Sequence, residues 1–300
     1  MKSRIEKFYK KIPASQKKYI DDFEKVHSEK SLDVNGVTWQ YFDSEEGQEV
    51  LLLLHGGFVD YTMWIHQIVE FESTYRVIAP TCPDLPDAKM DEYSAALSKI
   101  LEAENITKIN MMGYSEGGLI AQCFLRNNPT IVDKVILGHT FYPSRESRYY
   151  KYNFNLFRSM PAFLTEMLFR LLAKPDKEEI QHNSTEWLEW YKSWFGEIKS
   201  KLTKAQIITH IDLMIDFVRN YEFDASDLSE WEGQMLITVS EDDIVLNYFD
   251  GMKQLYPQAE YHMFKKGLGA HSIALITPTV FNRRVAEFLQ ALDYGLPNPA

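Results

Sequence analysis

The stretch ITKINMMGYSEGGLIAQCF at residues 106–124 decides how the rest of the chain is read. Its first part, Ile106 to Met112, is a short apolar run of strand length, and its last part repeats Leu119, Ile120, Cys123 and Phe124 at helical spacing. Between them Gly113-Tyr114-Ser115-Glu116-Gly117-Gly118 carries G-x-S-x-G with a strand before it and a helix after it, the context this pattern requires. A side chain at Ser115 then stands on a strained strand-to-helix turn, where glycines two residues to either side leave room for tight backbone contacts. The helix N-terminus that follows favours negative charge developing nearby. Ser115 is therefore the candidate nucleophile.

Outward from this point the chain alternates. Leu32 to Asp43 reads as two short strands joined at Asn35-Gly36, whose residues both tolerate positive φ and so mark a hairpin. Val50 to Leu54, Tyr75 to Ala79, Ile106 to Met112 and Lys134 to Leu137 are strand-length apolar runs, separated by amphipathic segments around 62–72, 90–104 and 116–127. This order predicts an α/β fold with a mostly parallel central sheet and helices on both faces. From Pro143 to about Tyr221 no strand is evident and aromatic residues recur in helical periods, which predicts a helical insertion. The β pattern resumes at Met235 to Val239 and Glu260 to Phe264, with a helix around 246–255 between them and a last helix from about Pro278 to Leu292. The division is a basic helical segment over 1–30, a core over 31–142 and 222–300, and the insertion over 143–221. Without repeats, low-complexity tracts or a Pro/Gly-rich linker, the insertion is expected to pack on the core.

Three further motifs lie where parallel strands end. His55-Gly56-Gly57-Phe58 closes the run Val50 to Leu54, and a glycine-rich loop there aims a backbone N–H into the space above Ser115. With the N–H of Glu116 it forms a candidate oxyanion hole, each preorganised donor being worth roughly 3–4 kcal/mol in a transition state. Gly57 is favoured as donor, and spacing alone leaves Phe58 open. Ser240-Glu241-Asp242-Asp243 follows the strand Met235 to Val239 and offers an acid to orient a histidine. His271 sits among small residues in Gly267-Leu268-Gly269-Ala270-His271-Ser272, before the final helix. Of the eight histidines, His27, His66, His182 and His210 are assigned to the surface or a satisfied core. His262 falls within a strand, His139 at the end of another, and His55 braces the oxyanion loop. The order Ser115, acid, His271 favours His271 as base.

The chain has 300 residues, a formal charge of −11 and only two cysteines, Cys82 and Cys123. That balance argues against a nucleic-acid partner. The run Val50 to Leu54 is far short of a span, so no stable membrane insertion is expected. A disulfide framework is excluded, and the absence of an export signal makes the cytoplasm the expected compartment. The basic N-terminus, with Ile5, Phe8 and Ile12 at helical spacing, is expected to dock one apolar stripe on the body. Neither a metal nor a cofactor is expected, because the His and Cys positions lack zinc spacing and no phosphate-cradling glycine loop follows a strand.

Taken together, HGGF at 55–58, GYSEGG at 113–118, SEDD at 240–243 and GAHS at 269–272 resemble the α/β-hydrolase fold with a helical cap, from about Asn35 to Leu292 excluding the cap. The resemblance implies a Ser115–Asp243–His271 triad; Asp243 is preferred to Asp242 because Ile244-Val245-Leu246 is similar to the segment after the catalytic acid in related enzymes. It implies a serine esterase working through an acyl-enzyme, and the aromatic residues of the cap point to a small, largely apolar acyl substrate. A serine at the elbow sets the chain apart from similar folds that use a carboxylate nucleophile, such as dehalogenases and epoxide hydrolases. The segment Val77-Ile78-Ala79-Pro80 leading to Cys82-Pro83 is similar to the maspardin-like branch and motivates a second reading, a non-catalytic ligand-binding or scaffold protein. In the cap, Phe163, Met167, Phe169, Trp187, Trp190, Tyr191, Trp194 and Phe195, with Tyr149 to Phe157 before them, are expected mainly to build its core, while some roof an apolar pocket. The Glu116 side chain is expected to form a structural salt bridge, with a cationic substrate group as the alternative.

Overall fold

The computed structural model describes residues 12–85, 87–144, 158–174 and 186–290. Ile5, Phe8, Tyr149 to Phe157 and His182 lie outside these, as do the last two residues expected of the final helix. The described chain opens with helix α1 (Ala14–Val26), which buries Ile20 and Phe23 against the body. Strands β1 (Glu29–Val34) and β2 (Val37–Asp43) form an antiparallel hairpin in which Val34 faces Val37. Its two-residue turn holds Asn35 at φ 55° and Gly36 at φ 80°, the left-handed pair such a turn needs.

The alternating part follows as β3 (Glu49–Leu54), a 3-10 turn at Tyr61–Trp64 leading into α2 (Ile65–Phe71), β4 (Tyr75–Thr81), α3 (Met90–Ala103), β5 (Ile109–Tyr114), α4 (Glu116–Asn127) and β6 (Val132–Gly138). Helices α5 (Ala162–Leu172), α6 (Leu188–Lys201) and α7 (Lys204–Asn220) come next, in the segment expected to lack strands. The chain then returns to β7 (Gln234–Ser240), α8 (Phe249–Leu255), β8 (Glu260–Phe264), α9 (Ile273–Ile276) and α10 (Pro278–Gln290). Among the described residues the eight strands form one sheet in the order β1-β2-β4-β3-β5-β6-β7-β8. Within it only the two pairings of β2 are antiparallel. The strand expected from Ile106 starts at Ile109, because Ile106 is held in a turn onto Leu101 O.

Strand side chains alternate between two apolar layers. Leu52, Leu54, Met111 and Val135 pack into the layer containing α3, α4 and α8, whereas Leu51, Leu53, Met112 and Ile136 pack toward α1, α2 and α10. A strand buried on both faces has no polar alternation to display, which is why these runs are continuously apolar.

The helices between β6 and β7 are fastened to this body. From α7, Thr209 Oγ1 accepts the Leu85 N–H (2.8 Å), Asp212 the Asp87 N–H (2.8 Å) and Asp216 the Met90 N–H (2.9 Å). These residues recur at helical spacing on one face of α7, and Asp216 satisfies a free donor at the start of α3. Trp194 of α6 donates its indole N–H to Thr62 Oγ1 (2.9 Å). The expected aromatic core is only partly realised: Trp190, Tyr191 and Trp194 are buried, but Phe163 and Met167 are exposed. Helical spacing marks both as members of an apolar stripe and does not reveal that this part of α5 stays uncovered.

Candidate active site

Beyond β5 the backbone turns sharply, and Ser115 takes φ 53° and ψ −118°. A non-glycine residue in this region costs on the order of 1–3 kcal/mol and persists only where its surroundings fix it. They do so here through three constraints. Ser115 donates its N–H to Gly138 O (2.9 Å), and its carbonyl accepts the Thr140 hydroxyl (2.6 Å). The glycines supply the third, since a Cβ on Gly117 would sit 2.0 Å from Leu54 O, and one on Gly113 2.3 Å from Gly117 O.

His271 reaches this serine from a 3-10 turn at Ala270–Ser272, entered through Gly269 at φ 120°. Ser115 Oγ lies 3.0 Å from His271 Nε2, and His271 Nδ1 lies 2.9 Å from Asp243 Oδ1. A carboxylate only accepts, so Nδ1 carries the proton and Nε2 is left to accept from the serine hydroxyl. Asp243 Oδ1 also accepts the Val245 N–H (2.9 Å). Asp242, the other acid weighed from the sequence, accepts the Gly267 N–H (2.8 Å) and so braces the loop that carries His271. Burial works against the Asp243 anion, but the imidazoles of His271 and His139 hold its carboxyl well below the usual carboxylate range.

His139 is the residue that sequence reasoning passed over. It follows β6 at φ 50°, is fully buried, and its Nδ1–H donates to Asp243 Oδ2, the oxygen His271 does not use. A signal existed: like the other site residues, it lies at the carboxyl end of a parallel strand. The ligand atoms of His139, Asp243 and His271 lie within 4.8 Å of one another. Each imidazole nitrogen faces a different carboxylate oxygen across a hydrogen bond, an arrangement that joins the groups pairwise rather than around one metal position.

The loop His55-Gly56-Gly57-Phe58, the candidate oxyanion loop, lies beside the elbow. His55 donates from Nδ1 to Gly56 O (2.7 Å) and accepts the Cys82 N–H on Nε2 (3.0 Å), bracing the loop, and burial lowers its pKa. Gly57 lines the same cavity as Ser115, while Phe58 directs its ring to Phe169 and His210. Glu116 opens α4, and its Oε1 accepts from His210 Nδ1 (2.6 Å), both side chains being buried. His210 thus belongs to a satisfied interior, next to the elbow.

Above Ser115 lies a cavity of about 310 Å³. Val59, Met63, Trp194, Phe195, Ile244 and Leu275 give it an apolar lining, and Lys174 stands at its edge. Trp194 and Phe195 come from α6, so the helices between β6 and β7 form part of this wall. A larger hollow of about 420 Å³ between α1 and α6 is lined by Glu24, Glu29, Asp60 and Glu197 and does not include Ser115.

An elbow serine, an imidazole and a carboxylate at the carboxyl edge of a parallel sheet, under helices inserted after β6, define an α/β architecture with a candidate nucleophilic site. Residues 49–292 match the alpha/beta hydrolase fold family, and the chain belongs to it. Mouse "Epoxide hydrolase 4" is 31% identical over 136 residues, which is 42% of this chain and 38% of that protein. The 2-hydroxy-6-oxononadienedioate/2-hydroxy-6-oxononatrienedioate hydrolase of Burkholderia vietnamiensis is 25% identical over 273 residues, 83% of this chain and 90% of that one. Among solved structures, a thermophilic esterase from Thermogutta terrifontis superposes with a TM-score of 0.68 at 20% identity, covering 88% of this chain and 98% of that chain. No helix among the described residues is long and apolar enough to cross a membrane.

Proposed function

We propose that the protein is a serine hydrolase that cleaves small, largely apolar carboxylic esters or related acyl compounds. The observation that carries this reading is the hydrogen-bond chain from Ser115 Oγ through His271 to Asp243, opening into an apolar cavity of about 310 Å³. In the reaction His271 Nε2 removes the Ser115 proton as Oγ attacks the acyl carbon. Asp243 stabilises the resulting imidazolium, and the N–H groups of Gly57 and Glu116 receive the oxyanion. Collapse of the tetrahedral intermediate passes the proton from His271 to the leaving alcohol and leaves an acyl-Ser115. Water, deprotonated by the same imidazole, then releases the acid and restores the serine.

The relatives carry the names epoxide hydrolase and 2-hydroxy-6-oxononadienedioate/2-hydroxy-6-oxononatrienedioate hydrolase. The alcohol nucleophile at 115 favours acyl transfer over chemistry that needs a carboxylate at that position. The helices between β6 and β7 act as a cap over the site, and the cavity's apolar walls accept an acyl or aromatic group while excluding water. A fluorophosphonate probe should label the wild-type chain at Ser115 and leave Ser115→Ala unlabelled, and p-nitrophenyl esters of short acids should be turned over. Equal labelling of both proteins would assign the nucleophile elsewhere. An unlabelled wild type whose melting temperature rises with a bound ligand would make the chain a non-catalytic ligand-binding protein.

A further inference from the structure

Asp243 is held by two imidazoles, and only one of them faces Ser115. His271 takes Oδ1 and His139 takes Oδ2, the two rings lying edge to face with centroids 6.1 Å apart. The His139 ring stacks on Tyr114 with centroids 5.0 Å apart and on Phe264 at 6.1 Å, its backbone N–H donates to Thr238 O (2.8 Å), and no part of it reaches solvent.

Two features of this arrangement are costly to the fold. His139 occupies the left-handed region at φ 50° although it carries a side chain. Its Nε2 is also buried without a hydrogen-bond partner among the described residues. An apolar ring in the same stack would leave no such orphan. The feature that an apolar ring lacks is the Nδ1–H directed at Asp243, and we propose that His139 is a positioning residue, a neutral imidazole that pins the outer oxygen of Asp243 so that the inner one stays aimed at His271. Burial lowers the His139 pKa while Asp243 opposes that shift, so the ring carries one proton, which the carboxylate draws to Nδ1.

The inference rests on the hydrolase reading and specifies how its base is tuned. A carboxylate that shares its charge between two N–H donors stabilises the His271 imidazolium less than one devoted to His271 alone. His271 therefore remains neutral, and usable as a base, to lower pH. The titratable groups around Asp243 are His139 at the end of β6, His271 in the loop after β8, Asp242 of its own turn, and Tyr114 of β5, whose hydroxyl donates to His271 O (2.7 Å). Phe264 of β8 and Phe281 of α10 face the His139 ring and carry no charge.

Two substitutions separate the ring from its proton. His139→Phe keeps the stack and removes the donor; His139→Asn removes the stack, places an amide N–H near the Nδ1 position, and tolerates positive φ. In His139→Phe the acid limb of kcat/KM should move up by about 0.5–1 pH unit with KM little changed, whereas His139→Asn should return the limb to its wild-type position. A purely structural role would lower activity equally at every pH. Imidazole 15N shifts of the wild-type protein give a second readout that needs no variant: at pH 7 His139 should be a neutral Nδ1–H tautomer. An Nε2–H tautomer, a charged ring, or an unmoved acid limb in the Phe variant would overturn the proposal. Fluorophosphonate labelling run alongside separates the two layers. An unlabelled wild type overturns the hydrolase reading and this role with it, while a labelled wild type with an unmoved limb overturns the role of His139 alone.

Discussion

Ser115 keeps its strained backbone because nothing larger than hydrogen fits at Gly113 and Gly117, two residues to either side. At Gly117 an added Cβ would lie 2.0 Å from Leu54 O and 2.6 Å from His55 O, both backbone atoms of a central strand and the loop it feeds. Neither can yield without moving β3, so Gly117→Ala should destabilise the fold by about 3 kcal/mol or more and abolish probe labelling at Ser115. Gly56 provides the contrast. A Cβ added there would meet the Ser115 Cβ at 3.5 Å, an ordinary contact, so Gly56→Ala should fold with a urea midpoint close to wild type. Equal midpoints for the two variants would show that α4 can shift away from β3, and the steric account of the elbow would fail.

Among the elements, α7 reaches the elbow from far along the chain, because it carries His210 to Glu116 across 94 residues of sequence. Glu116 Oε2 is buried without a partner, so Oε1 and its bond to His210 are what satisfy that carboxyl among the described residues. Removing one member of such a pair strands the other, and His210→Ala should cost about 3 kcal/mol of stability in urea unfolding. Adding Glu116→Gln should recover part of that loss, because no buried acid then remains; a double variant as unstable as the sum of the singles would contradict the coupling. The same pair shows where sequence reading reaches its limit. Ser115, Asp243 and His271 were legible because each sits in a short motif at a strand's carboxyl end, and the strands themselves were legible as continuous apolar runs. His139 occupies an equivalent place but has no motif around it, and His210 lies in mid-helix with its partner set by tertiary packing alone. Strand and helix ends drifted by a few residues for a related reason: Ile106 is as apolar as Ile109, and only the turn onto Leu101 O decides that the strand begins at the latter.

Across the whole molecule, the buried imidazoles set how the fold responds to acid. His66 of α2 is enclosed by Trp187 at 4.2 Å, Trp190 at 4.9 Å and Tyr19 at 5.6 Å, where α1, the core and α6 meet. Burial pushes its pKa down to about 3 from 6.5. Between those values the unfolded chain binds a proton that the folded chain refuses, so stability is complete above about pH 6.5 and is lost as pH falls toward 3. At pH 5 the His66 share amounts to about 2 kcal/mol, and His55 and His139, also lowered by burial, act in the same direction. The carboxylates do not produce this loss. Asp43, held down to about 2 against its burial by Arg76 and Lys30, begins to lose its contribution only below its ordinary value of 3.8. Glu24 and Glu29, raised chiefly by burial, work the opposite way just above 4.5. Unfolding free energy in urea should therefore drop between pH 7 and pH 5, and in His66→Phe the drop should be smaller by about 2 kcal/mol. Comparing each protein with itself at the two pH values cancels any packing change the phenyl ring introduces. If the variant lost as much stability as the wild type, the acid sensitivity would have to come from a group outside the junction of α1, α2 and α6.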